Sequence, residues 1–301
     1  MSQIAIPAVV YRGGTSRGIF FHKKDLPDDA GQRARIFEHG IDSWNLSQVD
    51  GLGAGTSHTS KCVVIAPSQR PGVDIEYTFY QIGIGKRIAD CTGTCGNLMA
   101  GSAAFAIDEG LVPVSPDQDS ATVTVYDTNA AKTLVITVAL ENGLAKSAGD
   151  CYIPGIVRPG APIGISILDP AGGKTGKALP LGPVIRVDTA WGEFHATVVD
   201  MINPFVFVAA EEVGLTGAEP FSVLAADEER LKTIDAIRDT AAVELGWARD
   251  AAEAREKSPA IPKVAVVAAP CDYAASSGAA IKASDVDIVV RGLSMSRLHR
   301  T

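Results

Sequence analysis

Four short segments of the 301-residue chain combine residue types at spacings suited to moving protons or binding anions. In Arg12-Gly-Gly-Thr-Ser-Arg-Gly18 the paired glycines let backbone N–H groups approach an anion, and Thr15 and Ser16 add hydroxyls. Arg12 or Arg17 adds a fork-shaped carboxylate donor. A carboxylate site fits this composition, and so does a glycine-rich strand connection with solvated arginines. A phosphate loop is excluded, because no Lys-Ser or Lys-Thr opens a helix here. The second segment, Gly51-Leu-Gly-Ala-Gly-Thr-Ser-His-Thr-Ser-Lys-Cys62, delivers Lys61 to the edge of an apolar run. A lysine half-drawn into a core loses hydration, which lowers its pKa towards that of a general base. A solvated gatekeeper at a strand edge is the other reading. His58 has no second ligand at helical or hairpin spacing, so no metal site is expected.

In the third segment, Asp90-Cys-Thr-Gly-Thr-Cys-Gly-Asn-Leu98, Cys95 precedes an apolar helical stretch. The dipole and free N–H groups of a helix start stabilise a thiolate, and Gly96 and Asn97 offer further anion donors. On this reading Cys95 should be alkylated faster than the other cysteines; a small buried cysteine before a tight helix start is the alternative. Cys91 and Cys95 are spaced CxxxC, unlike the CxxC of redox pairs and zinc ribbons. The fourth is Ile202-Asn-Pro204, where Asn203 makes a turn or holds a carboxylate with its amide.

At about 150 residues per domain, the length implies two domains. Lys plus Arg number 27 against 35 Asp plus Glu, a net charge of −8 with no basic stripe, which argues against nucleic acid as a partner. No apolar run approaches the ~18 residues of a membrane helix, and no basic residue precedes Ile4 to Val10 as in a signal peptide, so a cytoplasmic protein with no membrane partner is expected. Five unevenly spaced cysteines fit free thiols in a reducing compartment.

Elements that could position these groups are legible as apolar, β-branched runs between Gly, Pro and Asp breakers: Ile4 to Val10, Ile19 to His22, Val63 to Ala66, Val73 to Tyr80, Thr122 to Tyr126 and Thr133 to Leu140. The last two are joined by Asp127-Thr128-Asn129 and predict an antiparallel hairpin. Leu98 to Ile107 is small or apolar on every face and ends at Asp108-Glu109-Gly110, the pattern of a helix buried all round. Breakers cluster over 169–176, predicting a linker between domains 1–168 and 177–301. Beyond it, strands are expected at Val184 to Asp188, Phe194 to Val199, Phe205 to Ala209, Val264 to Ala268 and Val286 to Val290, around one helix from Ser222 to Leu245 with Gly246 as its stop.

Taken together, Arg12-Gly-Gly-Thr-Ser-Arg-Gly-Ile-Phe-Phe21, Asp50-Gly-Leu-Gly with Thr59-Ser-Lys61, Cys95-Gly-Asn97 with Phe105-Ala-Ile-Asp-Glu-Gly-Leu111, and Leu293-Ser-Met295 with His299 resemble the PrpF-like family. That family includes 2-methylaconitate cis-trans isomerase, methylitaconate and aconitate Δ-isomerases and 4-oxalomesaconate tautomerase. The resemblance implies an α+β fold like diaminopimelate epimerase: two similar domains, each a curled antiparallel sheet around a central helix, with the site in the cleft between them. It further implies Lys61 and Cys95 as catalytic groups, and Arg12, Gly14, Thr15, Ser16, Ser60, Gly96, Asn97, Asn203, Ser294 and Met295 as substrate-binding residues. The implied reaction moves a C=C bond, or isomerises it cis-trans, in a di- or tricarboxylate by proton transfer. It needs no cofactor and no metal, only an anionic carboxylate substrate, with a homodimer as a possible assembly.

The chain stops at Thr301, where relatives usually continue with a helix for the centre of the second domain. That predicts an incomplete C-terminal domain in which the inner faces of Val264 to Ala268 and Val286 to Val290 lose their cover: the 222–245 helix folds inward, a partner chain covers them, or, as expected for an isolated chain, the C-terminal half is partly disordered and aggregation-prone. Two functional alternatives follow: a 4-oxalomesaconate tautomerase, or an inactive truncated homologue serving as a carboxylate-binding or accessory protein.

Overall fold

The strands of the N-terminal half follow the apolar runs, displaced where a breaker intervenes. In the computed structural model, which describes residues 3–275 and 277–299, β1 (Val9–Gly13) and β2 (Ser16–His22) form a hairpin with Arg12 opposite Arg17 and Gly13 opposite Ser16. The expected strand from Ile4 begins only at Val9, because Pro7 has no N–H for a ladder. Next comes α1 (Ala30–Ile41), an element that the strand pattern does not announce; the Asp29 carboxylate caps it by accepting from the Gln32 N–H, and it buries Phe37 and Ile41. β3 (Lys61–Pro67) pairs antiparallel with β4 (Ile75–Ile82), and β5 (Ala89–Asp90) adds to β4. α2 (Gly96–Asp108) buries every residue from Leu98 to Ile107, as its composition requires. β6 (Ser120–Asp127) and β7 (Lys132–Glu141) form the expected hairpin, its turn held by the Asp127 carboxylate accepting from the Asn129 N–H. β8 (Leu144–Ala145) and β9 (Ile163–Ile167) both pair with β7.

These nine strands form one sheet with the order β1-β2-β3-β4-β6-β7-β8 plus β5 and β9. It curls around α2, which touches β1, β2, β3, β4, β6, β7, β8 and β9. α1 packs on the other face, where Ile19, Phe21, Cys62 and Val64 meet Phe37 and Ile41. The sheet is mixed, which corrects the expectation of an antiparallel one: β2–β3 and β4–β6 run parallel. The reason is connectivity, since α1 and α2 each sit in a crossover that returns the chain to the same end of the sheet.

The chain divides into two compact units, the first running through Asp169 and the second beginning at Pro170. In the second, β10 (Ile185–Thr189), β11 (Gly192–Met201), β12 (Asn203–Ala209), β13 (Lys263–Ala268), β16 (Val289–Ser294) and β17 (Arg297–Leu298) form a six-stranded sheet, β12–β13 being parallel. β14 (Tyr273–Ala274) and β15 (Ala280–Ile281) form a separate pair. The stretch 170–176 is organised by Asp200, whose carboxylate accepts from the N–H groups of Lys174 and Thr175.

The single helix expected over 222–245 is two, α3 (Phe221–Ala226) and α4 (Glu228–Glu244), because Asp227 leaves helical geometry and caps α4 by accepting from the Arg230 N–H. Gly246, at φ 73°, supplies the stop. α5 (Ala251–Lys257) follows. The expectation of an uncovered sheet face is corrected here. α4 lies on the sheet, with Ile234, Ile237 and Ala241 packed into one core with Val264, Val266 and Leu293. Val286 to Ile288 precede β16, which begins only at Val289.

Candidate active site

Side chains two apart on a strand share a face, so Tyr77, Phe79 and Gln81 of β4 all look towards α2, as do Lys61, Val63 and Ile65 of β3 and Ser16, Gly18 and Phe20 of β2. The register sets Lys61 directly opposite Gln81. Cys95 arrives from another direction, as the residue just before the first turn of α2. A long amine, an amide, a thiol and a hydroxyl thereby converge at one end of an apolar core.

Lys61 is only 4% exposed. Its Nζ donates to Gln81 Oε1 at 2.7 Å, is hydrogen-bonded with Cys95, and lies 4.9 Å from the centre of the Phe79 ring. Burial lowers the Lys61 pKa, and the facing Cys95 opposes that shift. Loss of hydration outweighs the thiol and favours the neutral amine, the form that takes a proton. Cys95 is 7% exposed, its Sγ 4.0 Å from Ser16 Oγ; its carbonyl accepts from Tyr77 Oη at 3.2 Å and from the Met99 N–H.

Asn97 joins the β1–β2 turn to the helix start: its Nδ2 donates to Thr15 Oγ1 at 3.0 Å and lies 3.4 Å from Ser16 Oγ. The paired glycines serve this contact. A Cβ on Gly13 would lie 2.2 Å from the Asn97 carbonyl oxygen, and one on Gly14, at φ +51°, 2.4 Å from Asn97 Oδ1. Their smallness lets the α2 first turn dock on the hairpin, a role distinct from the anion approach that the sequence suggests for them. Gly96 faces open space and is exposed, and the first N–H groups of a helix have no intrahelical partners. Beside this turn lies a cavity of about 250 Å³ lined by Arg12, Gly14, Gly96, Asn97 and Arg158. Arg12 also donates to the Gly14 carbonyl at 2.7 Å. Arg158 comes from an irregular segment without periodicity, so nothing in the sequence marks it.

Two other candidates point elsewhere. Arg17 donates to the Leu52 carbonyl at 3.0 Å. Ser60 is fully buried, and its hydroxyl lies 2.8 Å from Gln48 Oε1 and 2.7 Å from the Thr56 carbonyl, inside the loop rather than towards the Lys61 amine. Gln81 is absent from the candidates that the sequence supplies. The available signal is a glutamine at the inward position of the alternating run Ile75-Glu-Tyr-Thr-Phe-Tyr-Gln81.

In the second unit Asn203 opens β12 and is buried, as is Ser294 at the end of β16. Met295 and Ser296, at φ 52° and 60°, make the two-residue turn between β16 and β17. Ser296 hydrogen-bonds the Asp235 side chain of α4, whose carboxyl burial pushes up. No group of three or more His, Cys, Asp or Glu able to hold a metal occurs among the described residues, and no helix there is long and apolar enough to cross a membrane.

Comparison with known proteins gives consistent results. The family model described as PrpF protein matches residues 3–301. A 3-methylitaconate isomerase of Eubacterium barkeri is 40% identical over 301 residues, 99% of this chain and 79% of that protein. A 2-methyl-aconitate isomerase of Shewanella oneidensis is 36% identical over 310 residues, 99% of this chain and 78% of that protein. The crystal structure of a methylitaconate-delta-isomerase superposes with a TM-score of 0.75 at 40% identity, covering 98% of this chain and 76% of that one.

Proposed function

The chain belongs to the PrpF family, and on that premise we propose that it is an isomerase that shifts a C=C bond, or isomerises it cis-trans, in an unsaturated di- or tricarboxylate of the methylaconitate, aconitate or methylitaconate type. The observation that carries the reading is the buried Lys61 amine beside the Cys95 thiol, a lysine whose burial favours the uncharged form. Moving a double bond between carbons requires taking a proton beside the alkene, holding an enolate-like anion, and returning a proton two carbons away.

Neutral Lys61 takes the allylic proton, becoming the ammonium; the C–H electron pair becomes the new C=C, and the old π pair moves into the carboxylate-stabilised anion. The proton then returns at the distant carbon from Lys61, or from Cys95 acting as the second carrier. Gly96 and Asn97 at the start of α2 supply anion donors, with Arg12, Gly14, Thr15 and Ser16 as further contacts. Asn203, Ser294 and Met295 are proposed substrate contacts on the family resemblance alone. Because the chain carries a net charge of −8, attraction of the anionic substrate must be local, which suits the arginines lining the cavity.

Proton NMR of a panel of these acids with the protein in D₂O tests the reading. Loss of substrate alkene signals, growth of an isomer and deuterium at the donor or acceptor carbon are expected. A folded protein that neither turns over nor exchanges any member of the panel overturns it.

A further inference from the structure

We propose that Gln81 is the positioning residue of this site, holding the Lys61 amine in place through an amide whose other end is clamped by backbone. The inference rests on Lys61 being the base.

Gln81 is 5% exposed. Its Nε2 donates to the Ser60 carbonyl at 2.8 Å and to the Ser57 carbonyl at 3.0 Å. A carbonyl cannot accept from Oε1, so these contacts fix which way the amide points, and its one acceptor oxygen faces the Lys61 Nζ at 2.7 Å. A flipped amide would set its oxygen against two carbonyl oxygens. The clamping carbonyls include that of Ser60, the residue before Lys61, so one side chain ties both the backbone approach and the amine of the lysine. The loop is braced in turn by Gln48, whose Oε1 takes the Gly55 N–H and the Ser60 hydroxyl.

Around Nζ, the residue before α2 contributes the Cys95 thiol, and β4 contributes Gln81 and the uncharged Phe79 ring. Gly18 of β2 packs on the Lys61 backbone and Cβ without charge. Asp90, opposite Gln81 on β5, accepts from the Thr92 N–H and hydroxyl. An oxygen at the Gln81 position is therefore a main determinant of where the amine sits.

The test is the pH profile of Gln81→Leu and Gln81→Glu. Both lose the donors to Ser57 and Ser60, so a merely structural defect would move both alike. Gln81→Leu also removes the acceptor: kcat should fall about 10–100-fold, the scale of a misplaced reacting group, with KM changed less than about threefold. The acidic limb of kcat/KM should move to lower pH. Gln81→Glu keeps an oxygen on Nζ and adds charge, so it should retain more activity and move that limb up by about one pH unit or more. Equal losses with unmoved limbs, or a folded Gln81→Leu protein with wild-type kcat and pH profile, overturn the proposal. Lys61→Met measured alongside separates the two levels: turnover surviving there removes the reading of Lys61 as the base, whereas an inactive Lys61→Met beside an unaffected Gln81→Leu removes only the role of Gln81.

Discussion

Gly13 and Asn97 meet so closely that a Cβ on the glycine would lie 2.2 Å from the asparagine's backbone oxygen. The contact joins the β1–β2 hairpin, with Thr15 and Ser16 at its turn, to the helix start that carries Cys95. Both partners are backbone, so neither can yield by rotating a side chain.

Gly13→Ala should therefore push α2 away from the hairpin. Overpacking of this kind costs about 1–3 kcal/mol, read as a fall in the urea midpoint without a change in slope. Turnover should drop along with the displaced Asn97 and Cys95. An alanine variant with wild-type midpoint and kcat would show that the hairpin and helix adjust freely.

Lys61→Met should lower kcat by at least ~10³-fold, the upper range for one positioned acid–base group. Its stability carries a second signature. The folded-state pKa of Lys61 lies below its ordinary value of 10.5, so between the two the unfolded chain binds more protons. Wild-type stability then rises with pH through that window; the penalty for burying the amine is fully present below the folded pKa and gone above the unfolded one. Denaturant unfolding at several pH values should show the stability of wild type minus that of Lys61→Met increasing from neutral pH towards 10.5. A flat difference would mean that the amine is not desolvated.

Cysteine labelling should follow exposure before thiol activation. Cys91 is exposed, Cys95 buried, and Cys62 fully buried with its thiol pushed well up by desolvation. Brief iodoacetamide treatment and peptide mapping should find Cys91 modified first and Cys62 unmodified in native protein. Cys95 should be slower than Cys91 and slowed further by substrate, which revises the order expected from a thiol at a helix start. Cys62 reacting as fast as Cys91, or Cys95 indifferent to saturating carboxylate, would contradict this arrangement.

Much of the candidate site is legible in the sequence because its signals are local. An all-apolar, small-residue run such as Leu98 to Ile107 has to be buried on every side, so its start, with Cys95 and Gly96, has to sit at the edge of a core. Lys61 stands between a polar glycine-rich loop and an apolar run, and that transition alone places the amine at a boundary between water and interior. The β6–β7 hairpin is legible for the same reason, two alternating strands joined by Asp127-Thr128-Asn129.

Tertiary structure decided the rest, wherever the partner lies far along the chain. Whether Lys61 is solvated or buried depends on the β3–β4 register, which sets it against Gln81, on the next strand; a one-residue slip would turn Gln81 outward. Gly13 and Gly14 have the composition of an anion loop, yet a helix start from far along the chain fills the space beside them. Ser60, adjacent to Lys61 in sequence, turns its hydroxyl away from the amine because the loop before β3 folds back on it, with Gln48 Oε1 and the Thr56 carbonyl in hydrogen-bonding range. Composition and periodicity along one chain determined which groups could do the chemistry and that a core would receive them. Which of them share a face, and which amide meets the Lys61 amine, followed from pairing between distant segments, a long-range packing choice that local residue patterns do not encode.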